Sequence, residues 1–471
     1  MELFKCYRMK IEFIVFIAAI MFSGSTRADF TFGEVINPGA PINSTSGESP
    51  VCLSPDGLEM YFISDRPGGL GDVDIWVTKR IAIDANWASP ENLGPEINSP
   101  EPEMSAVISS DGLTLYFSSK RAGGFGWLDL WKSTRTHKND PWTSPVNLGP
   151  IVNSEVSDYA ASISADGLEM YFNSPRPGGL GGWFGDIWLT TRTSTEEPWA
   201  EPVNASALNS SDSEVFTCLS SDGRALFLDS DRPGGSGDFD IWLSRRQTSQ
   251  DAWSTPTNLG STINSPDFDG LGALAPDGRT LYFGSTRPGG LGGWFGDIWQ
   301  APIIPIVDFN GDGNIDTDDI LLMMDNWGTD ESLCDIGPMP WGDGVVDMED
   351  LTVFIEYWES ENFINVDEDD NGSKVSLKQG QRLVVTLESN PSTGYRWELV
   401  ENQNSILEQI GESEFILPEQ TDPPMVGVPG WEVFRFEAKS AGQQTLELLY
   451  RRSWEEGVEP AKTFSIDVIV N

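Results

Sequence analysis

Hydrophobic and polar positions along this chain fall into a pattern that recurs. The segments LSPDGLEMYFISDRPGG, ISSDGLTLYFSSKRAGG, ISADGLEMYFNSPRPGG, LSSDGRALFLDSDRPGG and LAPDGRTLYFGSTRPGG each hold an apolar run, an Asp-Gly pair, a second apolar run and a glycine-rich loop. A third run, DIW or DLW, follows every loop. The Asp-Gly aspartates are Asp56, Asp111, Asp166, Asp222 and Asp277, separated by 55, 55, 56 and 55 residues. Asp-Gly between two strand-like runs signals a hairpin, because glycine accepts the positive φ of a tight turn and aspartate tolerates it. A fourth run comes in WASPENLGP, WTSPVNLGP, WAEPVNASA and WSTPTNLGS. Four short antiparallel strands per unit, repeated radially, predict β-propeller blades. The fifth unit stops at DIWQAP, whereas FTFGEVINPGAPINS stands alone near the N-terminus and matches the missing run. That stretch is expected to complete the last blade, pairing the sheet edges and giving five blades over residues 29–304.

The pattern then changes twice. Residues 305–360 carry two Asp-rich loops, each followed by a short helical run, ILLMMDNW and LTVFIEYW. In DFNGDGNIDTDD, Asp308, Asn310, Asp312, Asn314, Asp316 and Asp319 occupy ligand positions 1, 3, 5, 7, 9 and 12 of an EF-hand loop. Gly313 makes the sharp turn, and Asn314 ligates through its backbone carbonyl. Calcium is therefore the expected cofactor. The second loop, CDIGPMPWGDGVVDMED, is irregular. Counting back from Asp350 places Asp347 and Asp343 at positions 9 and 5, but Trp341 and Met339 at 3 and 1. Asp335 serves as the first ligand only if the loop is longer, so Asp335, Asp343, Asp347 and Asp350 are expected to form a weaker site. Residues 361–371 read as an acidic linker. Beyond it, Leu383, Val385 and Leu387, then Leu446, Leu448 and Tyr450, then Phe464, Ile466, Val468 and Val470 recur at every second position. Period-two patterning over residues 372–471 predicts a small β-sandwich. The expected fold class is mainly β and multidomain: a five-bladed β-propeller, a small α calcium-binding module and a C-terminal immunoglobulin-like β-sandwich.

Charge narrows the functions open to such a chain. Seventy-three acids against 29 bases give a formal charge of -44 over 471 residues, which repels phosphate backbones and anionic lipid, so no nucleic-acid partner is expected. His137 is the only histidine and lies in the polar stretch RTHKND, where it reads as a solvated loop residue and not as part of a Ser-His-Asp triad or zinc site. Lys5, Arg8 and Lys10 precede the apolar stretch IEFIVFIAAIMF and a cleavage-like STRA, so residues 1–28 read as a signal peptide. Other apolar runs fall short of a membrane span. The expectation is a secreted, periplasmic or cell-envelope protein. Cys52, Cys218 and Cys334 remain after cleavage, an odd and scattered set that makes no disulfide framework.

Several repeated features are candidate sites. An acid opens the first strand of every blade: Glu48, Glu103, Asp158, Glu214 and Asp269. These either ring a channel mouth and hold a cation, or cap turns and pair with the repeated Arg66, Arg121, Arg176, Arg232 and Arg287. Repetition in every blade favours the second. Unequal carboxylates of the kind a propeller glycosidase needs are not evident, and no enzyme activity is expected. Blades three and five insert Trp183-Phe184 and Trp294-Phe295, which either cover the blade end or offer a platform for glycan.

Three resemblances follow from these motifs. The repeats resemble the WD40-like propeller family of the TolB type. The duplicated loop-helix pattern is similar to a type I dockerin, which implies docking to a cohesin-like module through residues such as Thr317 and Asp318. NPSTGY at 390–395, GVPG at 427–430 and RRSW at 451–454 resemble the three loops of the chagasin family, inhibitors of papain-like cysteine peptidases. That resemblance implies a peptidase-binding set of Asn390, Pro391, Ser392, Thr393, Gly394 and Tyr395, with Gly427, Val428, Pro429 and Gly430 on one side and Arg452 and Trp454 on the other. It implies reversible blockade of the peptidase cleft, with no reactive side chain. The chain departs from the family pattern at Ser392, Pro429 and Ser453. The other reading is a surface scaffold or glycan-binding protein that acts through its propeller and calcium module.

Overall fold

The computed structural model describes residues 30–293, 295–311, 315–329, 333–339, 342–400, 406–416, 429–452, 454 and 458–471. The signal-peptide segment 1–28 lies outside them. They form two compact units: the residues through Ile306 together with Pro338–Gly344, and Val307–Gly337 with Val345–Asn471. No helix among the described residues is long and apolar enough to cross a membrane.

Five four-stranded antiparallel sheets make up the first unit. Glu48–Leu53, Glu59–Ser64, Asp74–Lys79 and Glu91–Asn92 pair in that order, and three more sheets repeat the scheme. In the fifth, Asp269–Leu274, Thr280–Ser285 and Asp297–Pro305 are completed by Phe30–Phe32, with Phe30 opposite Pro305 and Phe32 opposite Ile303. The N-terminal stretch also reproduces its counterparts' side-chain bonds. Asn37 Nδ2 donates to Asp297 Oδ2 at 2.8 Å, as Asn92 Nδ2 donates to Asp74 Oδ2 at 2.8 Å. First strands of successive sheets lie side by side, and that of the fifth lies beside that of the first, so the ring closes. This unit is propeller-like.

Packing between sheets explains why the second strands read as unbroken apolar runs. Both faces of each are covered by a neighbouring sheet, so Met60, Tyr61, Phe62 and Ile63 are all buried, as are Phe117, Phe172 and Phe283 at the place of Phe62. Each such side chain contributes roughly 1.5–3 kcal/mol by burial. The aspartate that opens each third strand folds the glycine-rich loop. Asp74 accepts from the backbone N–H groups of Leu70 at 2.5 Å and Gly71 at 3.1 Å. A Cβ at Gly69 would lie 2.4 Å from that carboxylate, so the loop needs glycine there.

The ring of acids is structural. Glu48, Glu103, Asp158, Glu214 and Asp269 are each fully buried and ion-paired with the arginine of the same sheet. Arg121 Nη2 reaches Glu103 Oε1 at 3.0 Å, and Ser99 donates to the carboxylate from its backbone N–H at 3.0 Å and its Oγ at 2.7 Å. The guanidinium carbon sits 4.9 Å from the Phe117 ring centre and 5.6 Å from that of Trp131. Of the two readings of these acids, turn cap with arginine partner is the one the geometry supports.

The second unit begins with two helices, α1 (Thr317–Asp325) and α2 (Met348–Asn362). Residues 361–371 differ from the expected linker. α2 runs directly into a strand, Phe363–Val366, that pairs in parallel with Arg382–Ser389, and Val366 is buried in the sandwich core. Acidic flanks hid the short apolar alternation of Ile364 and Val366. One sheet orders Phe363–Val366, Arg382–Ser389, Gly430–Ala438 and Leu407–Gln409, with Glu414–Ile416 also on Gly430–Ala438. The other orders Lys374–Leu377, Lys462–Val470, Gly442–Arg451 and Arg396–Leu399. Leu383, Val385 and Leu387 face Phe434, Phe436, Leu448 and Ile466 in a single core.

Burial pushes the Glu103 carboxyl above its ordinary value, with Ser99, Ser119 and Arg121 opposing the shift. Replacing Arg121 with Met strands the buried carboxylate and is expected to cost about 3–5 kcal/mol at pH 7 in denaturant unfolding of the full chain. A carboxyl with a raised native pKa takes up its proton more readily folded than unfolded. The defect should therefore shrink as the pH is lowered toward 5.

Candidate functional site

The loop between Arg382–Ser389 and Arg396–Leu399 is stiffened from within. Pro391–Thr393 form one 3-10 turn. Asn390 O accepts from the Thr393 backbone N–H at 3.1 Å and from Thr393 Oγ1 at 2.6 Å, and Pro391 O accepts from the Gly394 N–H at 3.0 Å. Ser392 Oγ donates to Asn390 Oδ1 at 2.6 Å, so the serine keeps a hydroxyl's function in the turn. Gly394 has φ +81°, and a Cβ there would lie 2.5 Å from Cη2 of Trp454. Thr393, expected to bond a partner, spends its hydroxyl proton on the loop itself.

Two of the three predicted segments meet here. Arg452 Nε donates to Thr393 O at 3.2 Å, and its guanidinium carbon lies 4.5 Å from the centre of the Tyr395 ring. Tyr395 stacks on Tyr450 with ring centres 5.3 Å apart. Trp454 covers Gly394 yet stays 68% exposed, available as a contact. In the glycine segment, Gly427 and Val428 lie outside the described residues. Pro429 is exposed, whereas Gly430 is buried as the first residue of its strand, where a Cβ would lie 2.3 Å from Ile416 O. Gly430 pairs with Ser389 and so stands beside the root of the 390–395 loop.

Sequence reasoning missed the residues that hold this loop. Tyr450 Oη accepts from the Asn390 backbone N–H at 2.9 Å, and Trp397 Nε1 donates to Glu388 O at 3.0 Å. Strand parity gives away both side chains as inward-facing, and their polar tips point to the loop end. Glu432 is likewise buried, and Trp431 is half exposed beside it.

The two Asp-rich loops share one scheme. Asp319 Oδ1 accepts from Phe309 N at 2.8 Å and Asn310 N at 3.2 Å, and its Oδ2 accepts from Asp316 N at 2.9 Å. Asp350 Oδ1 accepts from Ile336 N at 2.6 Å and Gly337 N at 2.7 Å, and its Oδ2 accepts from Asp347 N at 2.6 Å. Asp335 thus occupies the place of Asp308, and the second loop is longer by four residues, the alternative left open by its sequence. Asp308 Oδ1 accepts from Gly311 N at 2.7 Å. Burial pushes the Asp350 carboxyl above its usual range. Asp312 and Asn314 lie outside the described residues, and among the described ones no group of three or more acidic, histidine or cysteine side chains is gathered to hold a metal.

Inside the first unit the inner strands surround a cavity of about 260 Å³, lined by Cys52, Ile108, Ile163, Thr217, Cys218, Leu274 and their neighbours with no charged side chain. Its thiols serve packing. Cys218 Sγ accepts from Leu274 N at 3.3 Å, and Cys52 accepts from the Ile108 N–H. Burial pushes Cys52 up to about 12 and Cys218 up to about 11, which leaves both protonated. Trp183, on the lengthened loop, is 89% exposed and Phe184 is 46% exposed. Trp294 lies outside the described residues.

The described part of this face is a set of internally braced loops at one end of a small sandwich. Comparison with known proteins places it. A model of the Chagasin family peptidase inhibitor I42 matches residues 376–468. Amoebiasin-2 of Entamoeba histolytica is 30% identical over 89 residues, 19% of this chain and 69% of that protein. Chagasin of Trypanosoma cruzi is 28% identical over 104 residues, 21% of this chain and 92% of that protein. Through this domain the chain belongs to the chagasin family. Among solved structures, a putative TolB from Agrobacterium tumefaciens is 19% identical, with a TM-score of 0.32 over 56% of this chain and 79% of that one.

Replacing Tyr450 with Phe removes the acceptor that its hydroxyl gives the Asn390 N–H. The expected result is a loss of about 1–3 kcal/mol in stability of the second unit, with faster amide hydrogen exchange at 390–395 read by mass spectrometry.

Proposed function

We propose that the C-terminal sandwich reversibly inhibits papain-like cysteine peptidases, with the Asn390–Tyr395 loop entering the active-site cleft. The GVPG segment lies along one side of that cleft, and Arg452 and Trp454 grip the other. One observation supports this above the rest. The carbonyls of Asn390, Pro391 and Thr393 are already turned onto donors within the domain. Cleavage requires a substrate carbonyl to enter the oxyanion hole beside the thiolate. A loop whose carbonyls are engaged internally fills the cleft without presenting one, and a braced loop loses little entropy on binding. Exposed Trp454 and the Arg452–Tyr395 stack are anchors of the kind that dominate interfaces.

The test is a titration of the full chain against papain with a fluorogenic peptide. The expected result is tight reversible inhibition that is lost by roughly 30-fold or more on replacing Trp454 with Ala. Unchanged inhibition by a variant lacking both the Thr393 hydroxyl and the Trp454 ring would overturn the loop mechanism.

In this reading the remaining modules deliver and place the inhibitor outside the cell or in its envelope. Asp308, Asn310, Asp312, Asn314, Asp316 and Asp319 bind calcium, and Asp335, Asp343, Asp347 and Asp350 hold a second ion more weakly. The module then offers a dockerin-like surface to a cohesin-like partner. Calorimetric titration with calcium should show binding that Asp319→Ala abolishes at the first loop, since Asp319 is both the last ligand and the group that folds the loop. A second reading, glycan binding by the propeller-like unit, is favoured by the exposure of Trp183. It requires that Trp183→Ala lower retention of the full chain on neutral polysaccharide.

A further inference from the structure

Glu432 belongs to none of the three loop segments, yet both stems of the 390–395 loop rest on it. It lies in the strand Gly430–Ala438, in step with Phe434 and Phe436, so its side chain turns inward with theirs. It is 6% exposed. Its partners are donors without charge. Oε2 accepts from Ser389 Oγ at 3.1 Å and from the Trp397 backbone N–H at 3.3 Å, and Oε1 accepts from Ser413 Oγ at 2.9 Å. Ser389 immediately precedes Asn390, and Trp397 follows Tyr395 by two residues, so one carboxylate oxygen holds both stems of the loop. Ser413 stands at the root of Glu414–Ile416, the strand that pairs with Gly430–Ala438 and leads toward the GVPG segment.

Among the described residues no cation pairs with it; a buried carboxylate in that state is expensive, and a leucine of similar volume would serve packing at lower cost. What leucine lacks is acceptor capacity. Three donors from three segments need a group with several lone pairs, and a carboxylate has about four. The two sheets also meet at this point, since Ser389 and Trp397 lie on opposite ones. We propose that Glu432 is a positioning residue of the inhibitor, closing the base of the 390–395 loop and setting its place beside Gly430. This rests on the inhibitor reading of the same loops. The carboxylate touches no peptidase; it fixes the shape that does.

The experiment uses the full chain with Glu432→Leu and Glu432→Gln, reading the inhibition constant for papain and amide hydrogen exchange together. Glu432→Leu should fold and should raise the inhibition constant by about tenfold or more, because a loop displaced by as little as an ångström meets the cleft poorly. Exchange at 390–395 should rise, while that at 462–470 stays slow. Glu432→Gln keeps an oxygen for Ser389 and Trp397 and gives Ser413 an amide donor, so it should return inhibition to within a few-fold of the parent. A leucine variant with parental inhibition and parental exchange overturns the proposal. So does one whose inhibition falls only with protection lost throughout the sandwich, which would make Glu432 a stability residue alone. If the parent chain fails to inhibit papain, the inhibitor reading fails, and local exchange at 390–395 still decides whether Glu432 positions the loop.

Discussion

A carboxylate taken out of water has to be met by donors from several directions, and both units of this protein are organised around that requirement. In the ring, each inner strand opens on an acid held by a serine, a backbone amide and an arginine that in turn lies on aromatic rings. In the Asp-rich loops, Asp319 and Asp350 gather three backbone amides apiece and so shape the turns ahead of α1 and α2. In the sandwich, Glu432 draws three segments together. An acidic chain thereby uses part of its excess charge as internal framework.

The loop face proposed to inhibit shows the same economy at smaller scale. Its proline, serine, threonine and glycine supply bonds that point back into the loop, while the side chains left outward are an indole and the edge of a guanidinium stack. Rigidity and inertness have one cause here. A backbone whose oxygens are committed inside the loop is both hard to deform and hard to cut.

Much of this was legible before any coordinates. A 55-residue repeat with Asp-Gly turns carries its own strand count, and the orphan FTFGEVINPGAPINS could belong only to an incomplete sheet. NPSTGY and RRSW named their loops, and the structure brings them together at Gly394. What escaped had physical reasons. Glu432 in GWEVFRF looks like a surface acid, and only its parity with Phe434 and Phe436 betrays it. Residues 363–366 look like linker because acids crowd a four-residue strand. The sequence leaves open whether Asp335 is the equivalent of Asp308, since a four-residue insertion shifts the register, and the amide partners of Asp350 decide that it is.

Phe30–Phe32 pairs with Asp297–Pro305, so the earliest of the described strands to emerge from the ribosome must wait for one roughly 270 residues younger. Until then the fifth sheet has a bare edge and the ring has a gap. Chain closure over such a span is costly in entropy and slow. During synthesis the half-built ring therefore presents unpaired backbone to whatever is nearby, and a helper that shields nascent strands would have its work concentrated in that interval.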